Sequence, residues 1–194
     1  GAAGFIGSAL AKKILEMGHS VVTVDNLSTG NKSNIPKEVE LIEGDCQSAL
    51  TINKLKGYKF EAIFHLAGQS SGEISFEDPI YDLQTNTQST LLLLKLCDEI
   101  GCSDFIYASS MSVYGDHDKL PVSENDSCKP KSFYAVGKLA SENYLKIYAN
   151  KKFKTTALRF FNAYGPGQSM KAVIPELIIK CLRGEKIRTT KGDQ

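Results

Sequence analysis

Apolar and polar positions follow two periods along this chain, and the switches between them divide it into short strands and longer helices. Residues Phe5 to Met17 carry apolar side chains at helical spacing, and Gly18 follows as a stop. SVVTVD then reads as a short buried strand ending in Asp25, followed by the turn-rich loop NLSTGNKSN. VELIEGD is a second strand, Ser48 to Lys56 a second helix and EAIFHLAG a third strand. Thr87 to Ile100 predicts a strongly apolar helix, DFIYASS a strand, Ala135 to Ala149 a helix and TTALRF another strand. Strands that alternate with helices need crossover connections, so the pattern predicts an α/β fold: a parallel sheet with helices on both faces.

Two stretches depart from this rhythm. Residues Gly115 to Ser132 are polar and rich in turn formers, which predicts a long surface loop. Beyond Phe160 the texture changes: FNAYGPGQSM reads as a loop, Val173 to Arg183 as a helix and KIRTTKGDQ as a strand or tail. The expected division is a main domain over residues 1–162 and the start of a smaller one over residues 163–194.

Length and composition narrow the partners. The 194 residues are enough for one sizeable core, and 42% hydrophobic with 23% charged residues is ordinary for a globular chain. A formal net charge of +1 gives no electrostatic argument for a nucleic-acid groove or an anionic membrane surface. A small-molecule partner met by local geometry is expected instead. The five cysteines are scattered without metal-ligand spacing, so no metal site is expected and a reducing cytoplasm fits best. No run of 18 apolar residues suggests a membrane span.

Chemistry concentrates first at Gly1, Gly4 and Gly7, a GxxGxxG turn that leads into the helix beginning near Phe5. Glycine permits close backbone approach, and the helix start aims unpaired N–H groups at an anion such as a pyrophosphate. On their own these glycines equally fit an ordinary turn into a helix. Asp25 shifts the balance: it lies 18 residues after Gly7 at a strand end, where a dinucleotide site needs an acceptor for the adenosine ribose hydroxyls. A carboxylate there repels a 2′-phosphate, and Asn26 rather than Arg follows, which favours NAD over NADP. A strand-end Asp that caps a turn remains the alternative.

The second constellation is YAVGK, with Tyr134 and Lys138 four residues apart on one helix face. An ammonium so placed is expected to lower the phenol pKa from roughly 10, given burial and a bound cofactor cation to help. Such a pair alone also fits a solvated surface. Ser110 stands 24 residues earlier at a strand end, and its hydroxyl can both donate and accept at an oxygen that alternates between alcohol and ketone. A serine there is equally a common turn residue. His65, in an apolar strand, reads as a packed core residue, and Arg159 as structural.

In order, GAAGFIGSAL, VVTVDNLSTG, EGD, IFHLAG, NTQSTLLLL, YASSMSVYG, YAVGK and LRFFNAYGPGQ resemble the extended short-chain dehydrogenase/reductase family, specifically its NAD-dependent nucleotide-sugar epimerases and dehydratases. The resemblance implies a Rossmann-type doubly wound parallel sheet whose first strand would precede Gly1, so the chain is expected to be an internal portion of a longer protein. It implies NAD bound by Gly1, Gly4, Phe5, Ile6 and Gly7, by Asp25 and Asn26, and by Asp45 and Cys46 near the adenine. Leu66, Ala67 and Gly68 would run along the cofactor, with Asn86, Tyr134, Lys138 and Phe161 completing its site. Ser110, Tyr134 and Lys138 would be the catalytic trio, and Ser110, Met111, Ser112, Tyr134, Asn162 and Val173 would meet a nucleotide-diphosphate sugar. The activity implied is epimerisation at C4 through a 4-keto sugar. Dehydratases of this family carry Asp-Glu where Met111 and Ser112 stand, which disfavours dehydration; a 4-keto-sugar reductase and a non-catalytic NAD-binding relative are the alternatives. Relatives dimerise through two helices, here Thr87 to Ile100 and Ala135 to Ala149, so a homodimer is expected.

Overall fold

The computed structural model describes residues 1–117, 120–149, 153–170 and 172–187. They fall into two units, Gly1–Phe161 and Asn162–Gln194.

In the first unit the chain runs α1 (Phe5–Glu16), β1 (Val22–Asp25), β2 (Glu40–Glu43), α2 (Ala49–Leu55), β3 (Ala62–His65), α3 (Gly72–Glu77) and α4 (Pro79–Asp82). A π-helical turn over Leu83–Gln88 leads into α5 (Ser89–Ile100), followed by β4 (Asp104–Ser110), α6 (Phe133–Ala149) and β5 (Lys154–Phe160). Every strand pair is parallel: β1 with β2, β3 with β4, and β4 with β5. The pairs form two sheets, β1-β2 and β3-β4-β5. Gly1 stands at the ends of both: its backbone N–H donates to Val24 O at 2.8 Å, and its Cα packs on the Leu66–Ala67 backbone. β1 and β3, the edge strands that meet at Gly1, are thus the inner ones.

The predicted elements recur with shifted ends. The strongly apolar helix starts earlier than Thr87, because α4 and the π-helical turn precede α5 without a break. α6 starts at Phe133 rather than Ala135, so Tyr134 lies inside the helix. α5 ends at Gly101, whose φ of 70° provides the left-handed cap that other residues adopt at a cost. Its Leu93, Leu94, Leu96 and Cys97 enter the main core with Phe105 and Tyr107 of β4 and Leu145 of α6. The apolar surplus of α5 is therefore used inside the unit and carries no argument for a dimer.

In the second unit, α7 (Val173–Leu182) follows a loop with positive φ at Gly165 and Gly167. Lys186 and Ile187 form no regular element, and the rest of the predicted strand or tail, residues 188–194, lies outside the described residues. Among the described residues no helix is long and apolar enough to cross a membrane.

Candidate active site

The glycine turn is as tight as its sequence suggests. A Cβ on Gly7 would lie 2.0 Å from Gly1 O, and one on Gly1 would lie 2.6 Å from Ala67 N, so neither position has room for a side chain. Gly4 is the N-cap of α1 and no side chain caps the helix. The first-turn N–H groups, those of Phe5, Ile6 and Gly7 among them, therefore have no side-chain acceptor, which leaves an anion-binding helix start.

At the end of β1 Asp25 is buried, with its Oδ2 accepting from Ala3 N at 2.9 Å and its Oδ1 from Leu27 N at 2.8 Å. Two bonds leave lone pairs free on both oxygens. The same carboxylate holds Leu27 in its unusual positive φ of 56°. Asn26 Nδ2 donates to Asp45 Oδ2 at 3.0 Å, and Gln47 bonds the same carboxylate through its backbone and side-chain nitrogens, both at 3.1 Å. Asp25, Asn26 and Asp45 thus gather at the adjacent ends of β1 and β2. Cys46 differs from its neighbours: its side chain is in the hydrophobic core, and burial pushes its thiol pKa up.

At the end of β3, Leu66, Ala67 and Gly68 turn away from the sheet. Gly68 has φ 149°, and a Cβ on it would lie 2.4 Å from Asn86 Oδ1. Asn86 is fully buried and donates from Nδ2 to Gln69 O and to Asp82 Oδ1, both at 3.0 Å. Two acceptors on one side fix the orientation of the amide. Its Oδ1 is then buried without a hydrogen-bond partner.

The third group forms where β4 meets α6. Ser110 ends β4, and Met111 and Ser112 begin a 3-10 turn. The Ser110 hydroxyl oxygen accepts from Ser112 N at 3.2 Å and from Ser112 Oγ at 2.9 Å. Its own proton is left to point towards Tyr134, whose phenol pKa Ser110 lowers by hydrogen bonding. One turn along α6, Lys138 is buried; its Nζ donates to Ala108 O at 2.9 Å and lies 5.5 Å from the centre of the Tyr134 ring. Burial lowers the Lys138 pKa to about 8, against the opposing pull of Asp82.

One sequence expectation changes here. The Tyr134 phenol is pushed up, first by burial and also by the Asp82 charge, with Ser110 opposing both. Desolvation thus outweighs the acidifying influences, and Lys138 spends its hydrogen bond on Ala108 O rather than on the phenol. His65 is buried, bonds Ser89 Oγ at 3.2 Å and is held neutral by burial, in keeping with a core role.

Residues missed in the sequence tie this group together. Glu142, a turn beyond Lys138, is buried and accepts from Ser109 Oγ at 2.5 Å, from Arg159 Nε at 2.9 Å and from Arg159 Nη2 at 2.7 Å. That pair fastens α6 to β4 and β5. Asp82 and Gln69 were missed as well; the spacing of Asp82 and Asn86, four apart, was the available signal. Phe161 ends the first unit, exposed, whereas Asn162 and Val173 belong to the second unit.

Parallel strands joined by helical crossovers, with a glycine turn at the inner strand ends and a Ser, Tyr and Lys group at the β4 end, define a Rossmann-type α/β protein. The chain belongs to the NAD dependent epimerase/dehydratase family, whose sequence profile matches residues 1–194. A UDP-glucose 4-epimerase of Mycolicibacterium smegmatis is 38% identical over 175 residues, which are 87% of this chain and 56% of that protein. The structure of the Thermotoga maritima UDP-glucose 4-epimerase with UDP-glucose superposes with a TM-score of 0.94 at 33% identity, covering 100% of this chain and 65% of that one. An NAD-dependent NDP-hexosamine 5,6-dehydratase, TunA, matches with a TM-score of 0.88 at 30% identity, over 100% of this chain and 64% of that one. The chain therefore spans roughly three fifths of the length of these relatives.

Proposed function

We propose that this chain carries the NAD-binding and proton-transfer parts of a nucleotide-sugar 4-epimerase. The observation that carries the reading is the grouping of Ser110, Tyr134 and a buried Lys138 at one strand end, in a fold whose similar structures include a UDP-glucose 4-epimerase. The cofactor fits the residues present: the uncapped start of α1 would take its pyrophosphate, Asp25 its ribose hydroxyls, and the Asn26–Asp45 pair with the Cys46 backbone its adenine end. Leu66, Ala67, Gly68, Asn86 and Phe161 would line its further course, and Lys138 would hold the nicotinamide ribose. When bound, NAD supplies reversible hydride acceptance.

The residues of the chain do the rest. Tyr134 Oη takes the proton of the sugar 4-hydroxyl while the Ser110 hydroxyl bonds the same oxygen, and the proton returns once the 4-keto sugar has turned over. Met111 and Ser112 flank this point. Neither Met111 nor Ser112 is an acid able to expel a 6-hydroxyl, which favours epimerisation over dehydration. The protein would work in the cytoplasm as a homodimer, paired through Ile80, Leu83, Phe133 and Val136, exposed apolar residues of α4, the π-helical turn and α6 beside the edge-to-face pair Phe76–Phe133. Phe76→Glu is expected to give a monomer by sedimentation velocity; an unchanged dimer would place the contact elsewhere.

The test is a panel of UDP-, dTDP-, GDP- and CDP-sugars given to the full-length protein, with C4 configuration followed by NMR. Inversion without net NADH consumption supports the reading; bulk NADH consumption means a reductase, and loss of water a dehydratase. Tyr134→Phe is expected to abolish hydride transfer and leave NAD bound, and undiminished turnover overturns the role of Tyr134.

A further inference from the structure

Asp82 is a buried carboxylate beside the Tyr134–Lys138 pair, and nothing above gives it work to do. It is 1% exposed at the end of α4. Its Oδ1 accepts from Gln69 Nε2 at 2.9 Å and from Asn86 Nδ2 at 3.0 Å, so neutral amides hold the carboxylate in place. Its Oδ2 faces α6 at Gly137, 3.5 Å from where a Cβ would stand, next to Lys138 and three residues after Tyr134. Among the described residues no cation lies within 4.0 Å of it. A carboxylate is expensive to bury without a positive charge to answer it, and Lys138 is the buried cation whose field it shares.

Lys138 has the complementary problem. Its ammonium donates to a neutral carbonyl, Ala108 O. The other groups around it are the Tyr107 ring at 4.9 Å on β4, the Tyr134 ring at 5.5 Å on α6, and His65 on β3, which burial keeps neutral. Glu142, the next acid along α6, is committed to Arg159. None of these supplies the negative charge that a buried ammonium needs.

We infer that Asp82 is the counter-charge that keeps Lys138 an ammonium, acting through space from a position set by Gln69 and Asn86. This makes Asp82 a positioning residue, since it touches neither reacting atom, and it rests on the proposed roles of Tyr134 and Lys138. Burial, with Asp82 opposing it, already brings Lys138 to about 8, so loss of the Asp82 charge would leave a large fraction of it neutral near pH 7. The same charge opposes ionisation of Tyr134. Asp82 therefore acts on both partners at once: it keeps the lysine charged and makes the phenol harder to ionise, so the phenolate that takes the sugar proton would depend on the Lys138 ammonium, the Ser110 hydroxyl and the cation of the bound cofactor.

The test is titration of Lys138 in the full chain without added cofactor, by NMR of 13Cε-labelled lysine, with the Lys138 signal assigned by its loss in Lys138→Met. The wild-type midpoint is expected near pH 8. Asp82→Asn, which keeps an oxygen for Gln69 and Asn86, is expected to lower it by about one pH unit or more, roughly a tenfold loss of proton affinity. Asp82→Glu, which keeps the charge, should restore part of the shift. An unchanged midpoint in folded Asp82→Asn overturns the proposal. If that variant does not fold, the wild-type chain decides: the Asp82 13Cγ signal should inflect a second time as Lys138 loses its proton, and absence of that inflection overturns it equally. Should Tyr134→Phe keep full hydride transfer while Asp82→Asn still shifts Lys138, the functional reading fails and the counter-charge stands.

Discussion

The Glu142–Arg159 pair holds the three elements that carry the candidate active site, and its contribution can be sized from its geometry. Glu142 is 4% and Arg159 16% exposed at the side chain, and two Arg159 nitrogens meet the two Glu142 oxygens at 2.9 and 2.7 Å. Glu142→Gln keeps the shape and one acceptor for Ser109 but leaves the guanidinium without its charge. Removal of one partner from a buried pair costs about 3–5 kcal/mol, and the retained acceptor places this variant near 3. For a protein of this size that corresponds to a fall in Tm of about 6–12 °C. Burial alone would raise the Glu142 pKa, but hydrogen bonds from Arg159 and Ser109 outweigh it and the folded value lies below the usual 4.5. A depressed folded pKa means that the stabilisation is complete above the unfolded value and is lost as pH falls through the folded one. Urea unfolding at pH 7, repeated in steps down to about pH 2, therefore separates wild type from Glu142→Gln at neutral pH and brings them together in acid, once the pH has fallen through the folded value. A deficit below about 1 kcal/mol at pH 7 would place the pair with ordinary surface ion pairs and refute the reasoning.

Three further outcomes follow from single contacts. Asp25→Asn weakens NAD binding by roughly 10- to 100-fold, the worth of a charged hydrogen bond, and narrows the preference over NADP; calorimetric titration with both cofactors checks it, and unchanged affinities would return Asp25 to turn capping. Gly68→Ala places a methyl 2.4 Å from the buried Asn86 Oδ1 at φ 149°, and a loss of about 1–3 kcal/mol in urea unfolding is expected; a neutral result would mean that the Gly68 turn moves freely. Lys138→Met stabilises the chain at pH 7 while abolishing turnover. The ammonium pKa is about 8 when folded against 10.5 when free, so the unfolded chain holds more protons between those values and wild-type stability rises with pH across that window. Removal of the charge relieves about 3 kcal/mol and forfeits about 1 in the bond to Ala108 O. The net gain of about 2 should vanish near pH 10.5, and a less stable variant at pH 7 would contradict it.

What was legible in the sequence depends on how local its cause is. The alternation of strands and helices survives in the fold because each element buries its own stripe, and the β4 span DFIYASS holds residue for residue, Asp104–Ser110. The segment between Gly68 and Asn86 gave no clear period. It contains two short helices and a π-helical turn, and a π turn inserts an extra residue per turn, so apolar positions drift out of the 3.6-residue register on which the reading depends. Asp82 and Gln69 went unseen for that reason, although Asn86 in the same turn stood within a recognisable motif.

The candidate site shows the same limit in its charges. Spacing placed Tyr134 and Lys138 on one face of α6, and the same step of four reaches Glu142, so their position was readable. Their charge states were not, because these depend on burial and on partners from distant segments: Ala108 and Ser110 from β4, Asp82 from α4, Arg159 from β5. An ammonium four residues from a phenol suggests an acidified tyrosine. In the folded chain desolvation raises the tyrosine above its usual 10 and lowers the lysine from 10.5 to about 8, which moves the two proton affinities apart and leaves the phenol the tighter holder of its proton. A phenol so held takes up a substrate proton only when positive charge beside it stabilises its phenolate, which the Lys138 ammonium and the cation of a bound NAD would supply under the proposed mechanism. The sequence motif thus marks where the proposed proton transfer would take place, while the buried surroundings of α6 set the charge states from which it would start.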